Sequence, residues 1–223
     1  SSLEDETGMH KGGGLEAKVL ASLARDGYEG LHCEGFGLYV LRAAVARRMY
    51  LSLMPEHGVH AHFSEYTDAW SACALYGLKP FEAYHAVDYD LDNIPADLVL
   101  AARDAVKNLR EEDVSWACAA VSARGSRVYT EQAVAGKGNI LFGFAQAFGE
   151  QRLIDYWVRA HCGYVRVRTG LNYGAPDLLV WRGDEVRFVE VKSKSDRISA
   201  DQALWVRNMA LPLGYDVRFL HVI

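Results

Sequence analysis

Three residues near the C-terminal end have types and spacing suited to chemistry: Asp177, preceded by Pro176, and the pair Glu190 and Lys192 with Val191 between them. On a strand, residues two apart project to the same face, so Glu190 and Lys192 stand side by side while Val191 points into a core. A hairpin turning at Gly183-Asp184 brings Asp177 alongside Glu190. Two converging carboxylates repel unless a cation lies between them, and an all-oxygen site suits Mg²⁺ or Mn²⁺ better than zinc. A neighbouring ammonium can hold a water or the charge that develops on a phosphate. Together these groups are equipment for metal-assisted phosphodiester hydrolysis. The same few letters also describe an ordinary inter-strand salt bridge, and the residues alone leave both readings open.

The elements that must position these groups are legible around them. Asp177 to Trp181 is a short apolar run, Arg187 to Lys192 alternates, and Asp216 to Val222 reads as a further strand. The pattern predicts a helix from Ser199 to Leu211, with Ser199 as N-cap, linking the hairpin to the last strand. Upstream, Tyr164 to Arg168 alternates, and a helix through Ile154, Trp157 and Val158 ends near Gly163. The first half is helical in periodicity. Leu15 to Arg25 places Val19, Leu20 and Leu23 on one face, and Leu38 to Met54 is a longer amphipathic run with Arg42, Arg47 and Arg48 on its polar side. Helices are also predicted from Pro95 to Leu109 and from Glu111 to Ala123. The fold class expected is α/β, a small mixed sheet flanked by helices behind a mostly helical N-terminal half. Residues 1–14, acidic and ending in Gly12-Gly13-Gly14, read as a linker or flexible N-terminus, and residues 15–223 as a single domain.

Composition sets limits on what this domain does. The chain has 223 residues, 50% of them hydrophobic, which supports one substantial core, and no apolar run approaches the roughly 20 residues of a membrane-spanning helix. Its four cysteines are isolated from one another and read as reduced thiols. His57, His60 and His62 cluster without a Cys or carboxylate at zinc spacing. Asp88, Asp90 and Asp92 alternate without the Gly and distal Glu of a calcium loop, so both groups read as polar loops. The net charge of −5 argues at first against a polyanionic partner. The charge is unevenly spread, however: residues 151–223 hold eleven Lys+Arg against eight Asp+Glu, hence +3, and residues 1–150 hold thirteen against twenty-one, hence −8. Acidity therefore does not exclude nucleic acid. It confines binding to a local basic strip near Lys192.

From Gly174-Ala-Pro-Asp-Leu-Leu-Val-Trp181 through Val189-Glu-Val-Lys192, Asp196-Arg-Ile-Ser199, Gln202 and Trp205 to His221-Val222, the sequence closely resembles the virus-type replication-repair nuclease domain, VRR-NUC, a branch of the PD-(D/E)XK nucleases. Further upstream, Leu15-Glu-Ala-Lys-Val-Leu20, Gly27-Tyr28 and Gly30-Leu-His-Cys-Glu-Gly35 resemble the start of the catalytic region of Fanconi-anaemia-associated nucleases. Residues 60–150 share the resemblance only faintly. The resemblance implies that Asp177 and Glu190 bind Mg²⁺ or Mn²⁺, that Glu34 completes the shell directly or through water, and that the Val191 carbonyl adds a ligand. It further implies that Lys192 positions the attacking water or stabilises the phosphate, and that Gln202 is a supporting polar residue of the catalytic set. Lys194 and Arg197, just beyond the hairpin, are the nearest candidates for phosphate contacts, with Arg166, Arg168 and Arg42 as further candidates that also read as solvated faces.

The function these readings favour is a metal-dependent deoxyribonuclease acting on structured or branched DNA, as in repair-type or phage-type enzymes. One alternative is the same chemistry as the toxin domain of a secreted antibacterial effector held in check by an immunity protein. Another is a catalytically silent nuclease fold used for binding, its acidic first half docking accessory domains. A ribonuclease is a weaker option, since no motif here reads a 2′-hydroxyl.

Overall fold

A computed structural model describes residues 14–33, 35–53, 96–124, 134, 136–162 and 174–222. Its centre is the hairpin read from the sequence: β2 (Leu178–Arg182) and β3 (Glu185–Ser193) pair antiparallel across Gly183-Asp184, with Leu178 opposite Val189 and Arg182 opposite Glu185. Gly183 has φ 60°, the left-handed conformation that such a turn demands and glycine supplies without strain. A short strand, β1 (Glu29–His32), adds antiparallel to β2, and β4 (Asp216–Val222) adds parallel to β3, so the described sheet is mixed with the order β1-β2-β3-β4.

Strand alternation sorts the sheet's two faces. Leu178, Val180, Val189 and Val191 pack on α1 (Gly14–Arg25) through Val19, with Leu15, Leu20 and Leu23 around it. The opposite face carries Leu179, Trp181, Val186 and Phe188 into the main core. There α5 (Gly138–Phe148) lays Leu141, Phe144, Ala145 and Phe148 against it, at i, i+3, i+4 and i+7. Phe188 stacks on Tyr215, with ring centroids 5.1 Å apart, and meets Phe148 and Phe144 edge-on at 5.9 and 6.3 Å. The layer behind is helical: α2 (Phe36–Leu53), α3 (Ala96–Lys107), α4 (Glu111–Arg124) and α6 (Glu150–Cys162). The result is a mixed α/β fold with a helical N-terminal half, of the kind the PD-(D/E)XK class uses.

Two expectations about helices are corrected. The α2 arginines do not form a solvated side: Val40, Leu41, Ala43, Ala44, Val45, Ala46 and Met49 are buried, so are Arg42 and Arg47, and Arg48 is half-buried. The Arg42 guanidinium lies over the Tyr39 ring and donates to the Ala160 carbonyl at 3.4 Å, while Trp157 Nε1 donates to the Arg42 carbonyl. Arg47 is held by the buried Asp113 at the start of α4, whose other oxygen accepts the Arg110 N–H at 3.0 Å. An arginine 1% exposed and joining α2 to α6 is not on a DNA-facing surface, so the candidacy of Arg42 for phosphate contact is withdrawn.

The second correction concerns the helix after Ser199. It runs as α7 (Ala200–Trp205), a π-helical turn (Val206–Ala210) and α8 (Leu211–Leu213). Pro212 accounts for the irregularity, since it has no N–H to give the Asn208 carbonyl one turn back, and that carbonyl instead accepts Arg159 Nε at 2.5 Å. The expected strand over Tyr164–Arg168, the His57–His62 group, the Asp88–Asp92 group and residues 1–13 lie outside the described residues. No described helix is long and apolar enough to cross a membrane.

Candidate active site

The site lies where the β2 lead-in meets the middle of β3. The β2–β3 register, continued one step past Leu178–Val189, sets Asp177 opposite Glu190, as the hairpin reading required. Two backbone contacts fix Asp177: its carbonyl accepts the Cys33 N–H at 2.9 Å, and its Oδ2 accepts the Val191 N–H at 2.9 Å. Upstream of it, Gly174 sits at φ 87°, and a Cβ there would fall 2.2 Å from the Asp201 carbonyl carbon. Only glycine lets the Gly174–Asp177 segment lie on the first turn of α7.

Glu190 and Lys192 project from the sheet face opposite Val191, which packs toward α1. Glu190 is 2% exposed and Lys192 8%. Lys192 Nζ lies 2.8 Å from Glu190 Oε1, and Gln202 Nε2 donates to the same oxygen. Gln202 has a second task. Its N–H donates to Ser199 Oγ at 3.2 Å and its Oε1 accepts the Ser199 N–H at 2.9 Å, closing a capping box at the head of α7. One side chain therefore fixes both the start of that helix and the orientation of Glu190. The other Glu190 oxygen, Oε2, is buried without a side-chain hydrogen-bond partner among the described residues. A buried carboxylate oxygen left unsatisfied is costly, and a cation is the natural group to satisfy it.

The electrostatics agree. Burial pushes both carboxyls above the usual range. For Asp177 the Val191 N–H and the charges of His32 and Lys192 oppose the rise and Glu16 adds to it; for Glu190 the Lys192 contact and the Asp177 backbone oppose it and the Asp177 charge adds to it. Two buried carboxyls, each raised by burial and by a neighbouring acid, form a site that binding of positive charge would relieve. Glu16, in the first turn of α1, is the acid that residue-by-residue reading overlooked. It stands within the Leu15–Leu20 stretch, but nothing in a helical pattern announces that its charge reaches Asp177.

Among the sequence candidates, Asp177, Glu190, Val191, Lys192 and Gln202 are thus brought together. Lys194 and Arg197 are exposed on the turn after β3, where Asp196 accepts the Ser193 N–H at 2.8 Å. Glu34, Arg166 and Arg168 lie outside the described residues, although Cys33 and Gly35 on either side of Glu34 are described and Cys33 is bonded to Asp177. Among the described residues no group of three or more His, Cys, Asp and Glu is gathered closely enough to hold a metal ion by itself. Asp177, Glu190 and the Val191 carbonyl could hold a cation there, with the remaining ligands coming from Glu34 or water.

The VRR-NUC domain model matches residues 157–223, which takes in β2, β3, α7 and β4 with Asp177, Glu190, Lys192 and Gln202. The likeness to VRR-NUC read from the motifs is borne out over that segment. The match spans under a third of the chain, and α1 to α5 lie before it. A VRR-NUC domain implies a nuclease of the PD-(D/E)XK type, a class that generally uses divalent metals. No curated protein matches the sequence.

Proposed function

We propose that this protein is a Mg²⁺- or Mn²⁺-dependent deoxyribonuclease that hydrolyses phosphodiester bonds at the Asp177–Glu190–Lys192 site. The observation that carries the reading is Glu190: buried beside a second carboxylate, with Oε1 held by Lys192 and Gln202 and with no side-chain partner for Oε2 among the described residues. Asp177, Glu190 and the Val191 carbonyl would hold the cation, with Glu34 as the further ligand. Bound there, a divalent cation supplies positive charge to the phosphate oxygens and lowers the pKa of water.

The chain's own residues do the rest. Asp177, anchored through the Val191 N–H, keeps its second oxygen for the cation. Gln202 keeps Glu190 from rotating toward solvent. Lys192, an ammonium largely shut off from water, contributes a hydrogen bond and charge to the attacking water or to the phosphoryl oxygens as negative charge accumulates on them. Lys194 and Arg197, on the exposed turn that follows, would contact neighbouring phosphates, with Arg166 and Arg168 as further contacts. A structured or branched DNA is the expected substrate.

The test is cleavage of a panel (duplex, single strand, 5′ flap, four-way junction and a matched RNA) by the purified protein with Mg²⁺, Mn²⁺ or EDTA. Metal-dependent cutting of DNA in preference to RNA supports the reading. Failure to cut any member with either metal would overturn it.

A further inference from the structure

On the sheet face that carries Glu190 and Lys192, the parallel pairing of β3 with β4 sets Phe188 opposite Val217, Glu190 opposite Phe219 and Lys192 opposite His221. Two packing contacts fix which way β4 faces. Val217 packs with Phe188 in the main core, whereas Val222, the neighbour of His221, packs on the α1 side with Val189 and Val191. Alternation along β4 therefore turns His221 to the face of Glu190 and Lys192. Neighbouring strands lie about 4.8 Å apart, so the His221 backbone stands one strand spacing from that of Lys192.

Exposure changes along this row. Phe188, Glu190 and Lys192 are buried, and His221 is exposed at the rim, at the same end of the sheet as the turn that bears Lys194 and Arg197. Asp196 on that turn is kept below the usual carboxylate range chiefly by its hydrogen bonds to Ser193, with the charges of Lys192 and His221 adding to the effect. One carboxylate thus feels both members of the last pair but one in the register. Among the described residues no hydrogen bond or ion pair occupies the His221 imidazole. An imidazole has an N–H to donate whether neutral or protonated. His221 is therefore an exposed donor with no structural task, in register with the lysine of the site and at the C-terminal ends of two parallel strands, where ligands of α/β sheets bind.

We propose that His221 is a phosphate-contacting residue of the nuclease, donating its imidazole N–H to an oxygen of a phosphate next to the reacting one, while Lys192 serves the reacting phosphate itself. The proposal rests on the nuclease reading above and extends the DNA track from β3 across to β4. The flanking phosphate is the expected partner because His221 stands one strand out from Lys192 and in solvent, clear of the buried acid pair. Its contribution is accordingly to holding the strand rather than to the chemical step.

The test is single-turnover cleavage with Mn²⁺, as a function of enzyme concentration, of a DNA whose cut position has been mapped, by wild type, His221→Ala and His221→Gln. It is repeated on substrates carrying one uncharged methylphosphonate at each phosphate flanking the cut. His221→Ala should raise the half-saturating enzyme concentration about five- to tenfold and leave the saturating rate within about twofold of wild type. His221→Gln, which keeps an N–H donor, should recover most of the loss. At one flanking position the methylphosphonate should weaken wild type by a similar factor and largely erase its difference from His221→Ala. A folded His221→Ala with wild-type half-saturation, a loss confined to the saturating rate, or a loss that persists at every flanking methylphosphonate would overturn the proposal. So would unfolding of both variants in thermal denaturation, which would make His221 a structural residue. Wild type that cuts no DNA with Mn²⁺ would instead overturn the nuclease reading, and is seen before any variant is compared.

Discussion

Asp177 accepts the Val191 N–H at 2.9 Å, so one acid of the site is bonded to the backbone of the strand that carries the other acid and the lysine. The bond makes the separation of the two carboxylates a property of the hairpin rather than of side-chain rotamers. Asp177→Asn retains an oxygen that can accept the same N–H but loses the charge. It should unfold within about 1 kcal/mol of wild type, since the bond survives, and lose at least about a hundredfold in cleavage rate, since a carboxylate donor to the cation is gone. Urea denaturation and single-turnover cleavage measure the two sides. Parallel losses in stability and activity would show that Asp177 acts as a structural residue.

Gln202 couples helix start to acid orientation, so its two roles should separate by substitution. Gln202→Ala removes the capping box and the hold on Glu190 together, with an expected loss of about 1 kcal/mol in stability and about ten- to a hundredfold in cleavage. Ser199→Ala removes only part of the cap and should match the stability loss with a much smaller loss of activity. Equal activities in the two variants would remove Gln202 from the site.

The hairpin, its turn, the last strand and the Ser199 cap were legible in the sequence because each is a local pattern: alternation, Gly-Asp, a polar N-cap before helical spacing. The convergence of Asp177 with Glu190 followed from the hairpin alone. Other features depend on tertiary packing and were not legible. β1 has four residues, too few for alternation to register. α5 has the right spacing, but its glycines and its nearly all-apolar composition gave no polar face to define it. The α2 arginines read as a polar side because nothing local says that Asp113 and the Ala160 carbonyl will be there to receive them. Glu16 became visible only once α1 was seen against the sheet.

Arg42 offers a test of that correction. Arg42→Ala should cost about 2–4 kcal/mol, through a cavity where the stem packs among α2 and α6, with no change in the salt dependence of DNA binding by the remaining folded protein. Full stability combined with a flattened salt slope would return Arg42 to the DNA surface.

The buried thiols give a check on packing around the site. With burial holding Cys33 near 12 and Cys118 near 11, neither should be alkylated by iodoacetamide in the native protein at pH 8, and both should label once the chain is unfolded in urea. Peptide mapping by mass spectrometry distinguishes them from Cys73 and Cys162. Rapid native labelling of Cys33 would mean that the segment joining β1 to the site opens readily.

The central claim, that Lys192 acts at a metal-dependent site built from Asp177 and Glu190, is tested most directly by single-turnover cleavage of an end-labelled DNA substrate by wild type and Lys192→Ala, each with Mn²⁺ and with EDTA, alongside thermal denaturation. Expected are metal-dependent cutting by wild type, none in EDTA, and a loss of at least about a thousandfold in Lys192→Ala with the fold intact. Wild-type rates in Lys192→Ala, or cleavage indifferent to EDTA, would contradict the mechanism.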